Sequence, residues 1–137
     1  FYMFTLPAWQ LVTGWFTTIA VVIGLMAAGF AALAGGGRIL ARSHARARQT
    51  LRGLSLASGV VLLAFAARTY VGRFDRILQD HTVFAGVTYT DAHVLVPGLL
   101  VVAVALAVGG VACFVNAVAA PRLRWIGVSL VPAVAAW

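Results

Sequence analysis

The sequence has no lysine and no glutamate, and it has only three aspartates and one cysteine among 137 residues. Cys113 has no second cysteine with which to form an intrachain disulfide, and no cysteine set could hold a structural zinc ion. None of G-x-S-x-G, H-E-x-x-H, a Walker loop or G-x-G-x-x-G occurs. We therefore expect no enzyme activity, no catalytic residues and no cofactor.

The chain is instead rich in apolar residues. Hydrophobic residues make up 63% of the chain and charged residues 9%, against roughly 45–50% and about 25% in soluble domains. A packed globule of this size could not hide so much apolar surface, so lipid is the solvent for most of the chain. The composition predicts an all-α, multi-pass transmembrane helical bundle. Arginine as the sole basic side chain, with abundant alanine, valine and glycine, suggests a bacterial genome rich in G and C.

Apolar runs place three full spans and the start of a fourth in one multi-pass membrane domain covering 1–137. The spans are predicted at about 6–34, 51–71, 97–118 and 125–137. Pro7 suits the first turn of a helix, where its missing amide hydrogen costs nothing. Because the chain begins without methionine and stops inside an apolar run, we expect it to be a piece of a longer protein.

Loop charges predict the orientation. The net charge of +7 falls between apolar runs, as expected for membrane topology signals and not for nucleic-acid binding. Residues 38–53 carry five arginines and no acid, and we expect a short helix there on anionic headgroups. Residues 72–93 carry two arginines against three aspartates. The positive-inside rule puts 38–53 and 120–125 in the cytoplasm and 72–93 outside a bacterial inner membrane. The predicted membrane-surface arginines are Arg38, Arg42, Arg46, Arg48 and Arg52.

Within the spans, Arg68 and Asn116 are strongly polar. Arg68 is close to the end of its span, where an arginine can extend to the headgroups. The alternative is a buried pairing with Asp75, Asp80 or Asp91.

In the third span, alanines and glycines recur at the four-residue spacing that lets helix backbones approach closely. These small residues are Ala103, Ala105, Ala107 and Gly109.

A polar segment, "GVTYTDAHVLVPG" at 86–98, leads into the third span. Thr90 or Asp91 can cap the first turn of a helix by accepting bonds from free backbone N–H groups. If Asp91 is the cap, Pro97 lies inside the helix and kinks it by freeing the carbonyl of His93. The alternative begins the helix at Pro97 and leaves residues 89–93 as an ordered loop. In both cases Tyr89 and its polar neighbours organise the start of a span.

The same region contains weak candidates for a metal site. His81, Asp91 and His93 could supply three ligands, which is the minimum for a typical site. Their spacing matches no recurring metal-binding pattern, so we expect no metal.

Four short segments, taken in order, resemble uncharacterised protein family 0182, a family of large bacterial membrane proteins. They are "FYMFTLP", "GGGRIL", "GRF" and "AGVTYTDAHVLVPGL". The resemblance implies that the chain is the later part of an N-terminal multi-span domain and that a large extracytoplasmic domain follows it. It implies a topology and no activity. The matching positions are Phe1, Tyr2, Phe4, Leu6, Pro7, Gly36, Gly37, Arg38, Arg73, Tyr89, Thr90, Asp91, His93 and Pro97.

Three functions fit these observations. The first is a non-enzymatic anchoring and helix-packing module of a larger envelope protein, in contact with lipid and with other transmembrane helices. The second is an accessory subunit at the edge of a large membrane complex. The alternative, from a different class, is part of a transporter or channel with Arg68 and the Asp91–His93 loop near a substrate entrance. A water-filled path to Arg68 or Asn116 would favour that alternative.

Overall fold

The structure is a computed structural model, and all of its regular elements in the described residues are helical, as predicted. The helices are α1 (Thr5–Gly35), α2 (His44–Ile77) and α3 (Val96–Ala119), and a π-helical turn, Asp91–Leu95, runs directly into α3. The residues that the structure describes are 4–35, 44–77, 91–119, 124, 126–128 and 131.

Helix α1 has 31 residues and carries no charged side chain. Pro7 lies in its first turn, as predicted, where the helix has no carbonyl for an amide hydrogen to reach. The helix ends at Gly35, the first of three consecutive glycines. Glycine is frequent at helix ends because it adopts the conformations that close the last turn.

Helix α2 is longer than the sequence predicts, and the expected separate headgroup helix is wrong for residues 44–53. These residues form the first turns of one continuous helix of 34 residues. No proline interrupts 44–77, and Gly53 costs only about 1 kcal/mol relative to alanine inside a helix. The arginine-rich segment and the apolar span therefore share one axis.

The start of α3 agrees with the alternative in which Pro97 lies inside a helical segment. The chain is already helical at Asp91, and a π-helical turn precedes the α-helix that contains Pro97. A proline ring clashes with the carbonyl four residues earlier in an α-helix, here that of His93. A wider π-turn placed just before the proline relieves that clash. The predicted cap is not tested, because Thr90 and the Asp91 side chain lie outside the described residues.

In the part of the chain that the structure describes, three helices are long and apolar enough to cross a membrane: Thr5–Leu33, Arg48–Phe74 and His93–Ala119. Each has at least 27 residues, or about 40 Å at 1.5 Å per residue, which exceeds a hydrocarbon core of about 30 Å and permits tilting. The described residues between 124 and 131 are also helical and form a short fourth helix. The rest of the predicted fourth span lies outside the described residues.

Helix α2 is the middle helix of the bundle. Helices α1 and α3 each pack against it in antiparallel fashion. Within the described residues, no Cα atom of α1 lies within 8 Å of one of α3. The small core lies between α2 and α3, whereas α1 exposes most of its apolar side chains. The core residues are Leu62, Ala66, Leu106 and Cys113.

Candidate functional site

The most buried polar side chain among the described residues, that of Ser55, lies between α2 and α3. Ser55 is completely buried, and its hydroxyl donates a 2.7 Å hydrogen bond to the backbone carbonyl of Cys113. The side-chain amide of Asn116 in turn donates a 3.1 Å bond to the Ser55 oxygen. A serine hydroxyl can donate once and accept as well, so Ser55 uses both capacities across the helix interface. We call Ser55, Cys113 and Asn116 the polar relay.

Two glycines face each other one turn further into the same interface. A Cβ atom on Gly59 would lie 3.2 Å from the carbonyl oxygen of Gly110, and one on Gly110 would lie 3.2 Å from that of Gly59. The Gly59 Cβ would also lie 3.0 Å from the Phe114 ring, and the Gly110 Cβ 2.8 Å from Leu63. The backbones of α2 and α3 therefore cross at a distance that only small residues permit.

This close crossing explains why the polar relay forms. A serine side chain is short, and it reaches a carbonyl on another helix only where the two backbones nearly touch. Ser55 and Gly59 lie four residues apart and so occupy one face of α2. On α3, the crossing glycine and Cys113 are likewise on one face and are both buried. Cys113 itself is completely buried in this interface, with an exposure of 0%.

The sequence identified some of this interface and missed its main contacts. Asn116 was recognised as a polar residue within a span, and the predicted small residues Ala103 and Gly109 are buried. The sequence did not identify Ser55, Gly59 or Gly110 as contact residues of this interface. The Ser-x-x-x-Gly spacing on α2 was the available signal, but such spacings are common in a chain with so many small residues.

The interface between α1 and α2 is built differently. The Thr13 and Thr17 hydroxyls donate 2.7 Å bonds to carbonyls four residues earlier in their own helix. Thr17 also approaches the carbonyl of Ala64 on α2, but at 3.5 Å. Further along, a Cβ on Gly24 would lie 2.8 Å from a methyl group of Val61. This contact is between a side chain of α2 and the backbone of α1, and not between two backbones.

Arg68 lies on the exposed surface of α2 next to α1. Its Nη1 atom is 4.0 Å from the position that a Cβ of Gly14 would take. Gly14 is about 13 Å along the helix from the start of the first span, at 1.5 Å per residue. The missing side chain at Gly14 leaves room for the guanidinium beside α1. The predicted pairing of Arg68 with Asp75, Asp80 or Asp91 is not tested, because these carboxylates lie outside the described residues.

Arg73, near the end of the second span, is held by two aromatic rings. Its guanidinium carbon lies 4.2 Å from the ring centre of Tyr70 and 4.6 Å from that of Phe74. Its Nη2 atom also donates a 3.1 Å hydrogen bond to the Tyr70 hydroxyl. Stacked cation–π contacts of this kind fix an arginine at a helix end, where aromatic side chains also favour the membrane boundary.

The structure describes only part of the segment that leads into the third span. His93 is exposed at the start of that span, and Pro97 is exposed inside α3. Tyr89, Thr90 and His81 lie outside the described residues. No group of three potential metal ligands occurs among the side chains that the structure describes. The prediction about a metal therefore stays untested.

The predicted membrane-surface arginines are also described in part. Arg48 and Arg52 are exposed near the start of α2. Arg38 and Arg42 lie outside the described residues, as does the side chain of Arg46. The two described arginines are on the same end of the bundle as the last turns of α1.

These features define a class of protein. The chain is an all-α bundle with three helices of membrane-spanning length and composition, joined through small residues and a few buried polar contacts. All 137 residues match the family described as Uncharacterised protein family (UPF0182), and the chain belongs to that family.

Curated relatives carry the same family description. The chain is 33% identical over 103 residues to a UPF0182 protein of Saccharopolyspora erythraea, covering 74% of this chain and 11% of the relative. It is 30% identical over 131 residues to one of Arthrobacter sp. (strain FB24), covering 95% of this chain and 13% of the relative. The chain thus spans about an eighth of the length of these relatives and is part of a larger protein. No solved structure matches it.

Proposed function

We propose that this chain is a non-enzymatic membrane module that anchors and packs helices within a larger bacterial envelope protein. The observation that carries the proposal is the position of α2, which joins one helix on each side through small residues. The polar relay lies inside one of these contacts. Such an arrangement stabilises a bundle in lipid, where close packing and interhelical hydrogen bonds replace the hydrophobic effect.

The placement of the polar groups favours packing over transport. Asn116 is buried and bonded to Ser55 within a tightly crossed interface. The three spans, 5–33, 48–74 and 93–119, contain no aspartate or glutamate, whereas ion pathways through the bilayer typically use acidic side chains. The outward apolar face of α1 offers a surface to lipid or to further transmembrane helices of the same protein or a partner.

The proposed orientation is the one that the loop charges indicate. The start of α2, with Arg48, lies in the cytoplasm, and the start of the third span, with His93, lies outside an inner membrane. Each of these side chains is exposed. In the full-length protein, a membrane-impermeant maleimide should label His93→Cys in intact cells and Arg48→Cys only after permeabilisation. The reverse pattern would overturn the orientation and leave the packing role standing.

The packing role itself is tested by conductance. The full-length protein is reconstituted into planar bilayers in potassium chloride, and the current is compared with those of Arg68→Gln and Asn116→Leu. A packing module predicts that neither variant changes the current, whether or not other parts of the protein conduct. A current that falls severalfold in either variant, with the protein still folded, would favour the transport alternative.

A further inference from the structure

A groove opens between α1 and α2 at the end of the bundle that carries Arg48 and Arg52. The two helices contact each other near Gly24 and Val61 and then leave a space of about 610 Å³. The groove lies within two predicted membrane spans, so we expect hydrocarbon to surround most of its length. Its lining residues are Ile23, Ala27, Phe30, Gln49, Thr50, Gly53, Leu54, Leu56, Ala57 and Val60.

The lining changes in character along the groove. Apolar side chains form most of its length, from Ile23 and Val60 outward, and they offer nothing that would hold water. The two polar residues, Gln49 and Thr50, lie together at the end of the groove nearest the start of the second span. An occupant must therefore have a long apolar part and a polar end.

Positively charged residues are close in sequence to that polar end. Arg48 and Arg52 are both exposed and flank the two polar lining residues along α2. The segment 38–53 contains five arginines and no acidic residue. Arginine binds phosphate through paired, charge-assisted hydrogen bonds, so a phosphate group is the anion that this end suits best. Anionic headgroups are also attracted to such basic segments by roughly 1 kcal/mol per arginine.

We propose that this groove is a binding site for one anionic phospholipid. One acyl chain fills the space between α1 and α2, and the phosphate lies against Arg48 and Arg52. The proposal goes beyond the anchoring role, since it assigns a specific lipid to a specific place. It does not depend on the orientation of the chain or on its lack of transport activity.

The structure supplies a variant that blocks the groove without disturbing the packed interfaces. A Cβ on Gly53 would meet no atom within 4 Å, although Gly53 lines the groove. Gly53→Leu therefore places a side chain in the space that the acyl chain would use. Gly29 on α1 also has open space around it and does not line the groove, so Gly29→Leu is the matched control.

The test uses the full-length protein in nanodiscs that contain a photoactivatable phosphatidylglycerol or, separately, the matching phosphatidylcholine. After illumination, mass spectrometry locates the labelled peptides. We expect phosphatidylglycerol to label 23–30 and 49–60. Gly53→Leu should lower that labelling about tenfold, which corresponds to about 1.4 kcal/mol of binding free energy. Gly29→Leu should leave it unchanged.

The headgroup is tested by charge. Arg48→Gln combined with Arg52→Gln should lower labelling by phosphatidylglycerol about tenfold, equivalent to about 1.4 kcal/mol, and leave the weaker phosphatidylcholine labelling unchanged. Arg124→Gln, which removes an exposed arginine that follows α3 and belongs to neither helix of the groove, is the control. The proposal would be overturned if both lipids labelled the groove equally and the arginine substitutions did not change that labelling. The groove would then be in contact only with the ordinary lipid that surrounds the protein.

One further outcome would also overturn it. If another helix of the larger protein fills the groove, no lipid should label its lining, and Gly53→Leu should lower the thermal stability of the full-length protein. A lipid site predicts the opposite pair of results, with strong labelling in the parent protein and little change in stability in the variant.

Discussion

The two faces of α2 hold their neighbouring helices by different means. Toward α3, the backbones cross at Gly59 and Gly110, and Ser55 donates its hydrogen bond to the other helix. Toward α1, Thr13 and Thr17 donate their short bonds within their own helix. Similar polar residues therefore contribute to helix association only where the backbones come close enough for a short side chain to cross.

The same difference explains the groove. Two glycines facing each other bring α2 and α3 together and leave a closed core. On the other face, Gly24 meets the branched side chain of Val61 and no backbone atom of α2. Open space remains beyond this contact, where the groove lies between α1 and α2. One interface is suited to holding the bundle together, and the other is suited to admitting a lipid chain.

Both interfaces can be followed separately in the full-length protein through thiol labelling. Cys113 is completely buried between α2 and α3, and the rate at which a maleimide labels it, measured on its own peptide, reports opening of that interface. Ala20 is 2% exposed on α1, and Ala20→Cys reports on the other interface. A tenfold change in the labelling rate corresponds to about 1.4 kcal/mol in the opening equilibrium.

We expect the largest effect from Gly110→Leu. Its Cβ would lie 2.8 Å from Leu63 and 3.2 Å from the carbonyl of Gly59, and a backbone carbonyl can move only if the helices separate. The change should cost about 3 kcal/mol, the upper end of the range for overpacking, and labelling of Cys113 should rise more than a hundredfold, roughly 2.7 kcal/mol or more. Gly98→Leu, with open space around its Cβ, is the control. Equal effects from the two variants would contradict the close crossing.

The polar relay should have the next largest effect. Ser55→Ala removes both the bond to the carbonyl of Cys113 and the oxygen that accepts from Asn116. The loss should be about 1–2 kcal/mol, as for other buried hydrogen-bonding groups. In a double-mutant cycle with Asn116→Leu, the coupling energy should be roughly 0.6–1.7 kcal/mol, the range found between transmembrane helices.

Ser58 provides the control for that cycle. Its hydroxyl donates a 2.8 Å bond to the carbonyl of Leu54 in the same helix, and it lies 3.8 Å from the Cys113 sulfur. Ser58→Ala should change the labelling rate of Cys113 by less than about threefold, which is under about 0.7 kcal/mol. A coupling energy near zero between Ser55 and Asn116 would show that the relay does not stabilise the interface.

Gly24→Leu should act on the other interface and by a smaller amount. The atom closest to its Cβ, at 2.8 Å, is a methyl group of Val61 at the end of a side chain, which can move more readily than a backbone. The expected cost is about 1 kcal/mol, the lower end of the range for overpacking. Labelling of Ala20→Cys should rise while labelling of Cys113 stays constant. Gly29→Leu is the matched control, and a rise at Cys113 would contradict the independence of the two interfaces.

Thr17→Val should have the smallest effect. The hydroxyl already forms a 2.7 Å bond within α1, and its distance of 3.5 Å to the carbonyl of Ala64 is at the limit for a hydrogen bond. Valine preserves the branched shape, so labelling of Ala20→Cys should change by less than about twofold, equivalent to about 0.4 kcal/mol. A loss as large as that from Ser55→Ala would show that Thr17 does bind α2 strongly.

Helix type and approximate span positions could be predicted from the sequence because they depend on local composition. Apolar runs of sufficient length form helices in lipid, since the backbone groups have no other partners there. Pro7 likewise acts locally, and it lies in the first turn of α1 as predicted. The start of α2 was harder to predict, because arginine favours a helix as well as a charged loop.

The contacts between helices could not be read from the sequence in the same way. An alanine- and glycine-rich helix has small residues on several faces, and Ala105 and Ala107 on α3 are only half-buried although they fit the spacing. The buried face depends on where the neighbouring helix lies. Asn116 was visible in the sequence as a polar residue within a span, but nothing set its partner Ser55 apart from the three other serines of the chain.

The sequence by itself determined that this protein is a bundle of apolar helices in lipid and that it resembles one bacterial membrane family. Those properties follow from composition and from short motifs along the chain. The tertiary structure alone decided that Ser55 bonds across to α3, that Gly59 meets Gly110, and that a groove opens beside Arg52. Hydrogen bonds and close packing act over a few ångströms, and only the folded arrangement brings residues distant in the sequence within that range.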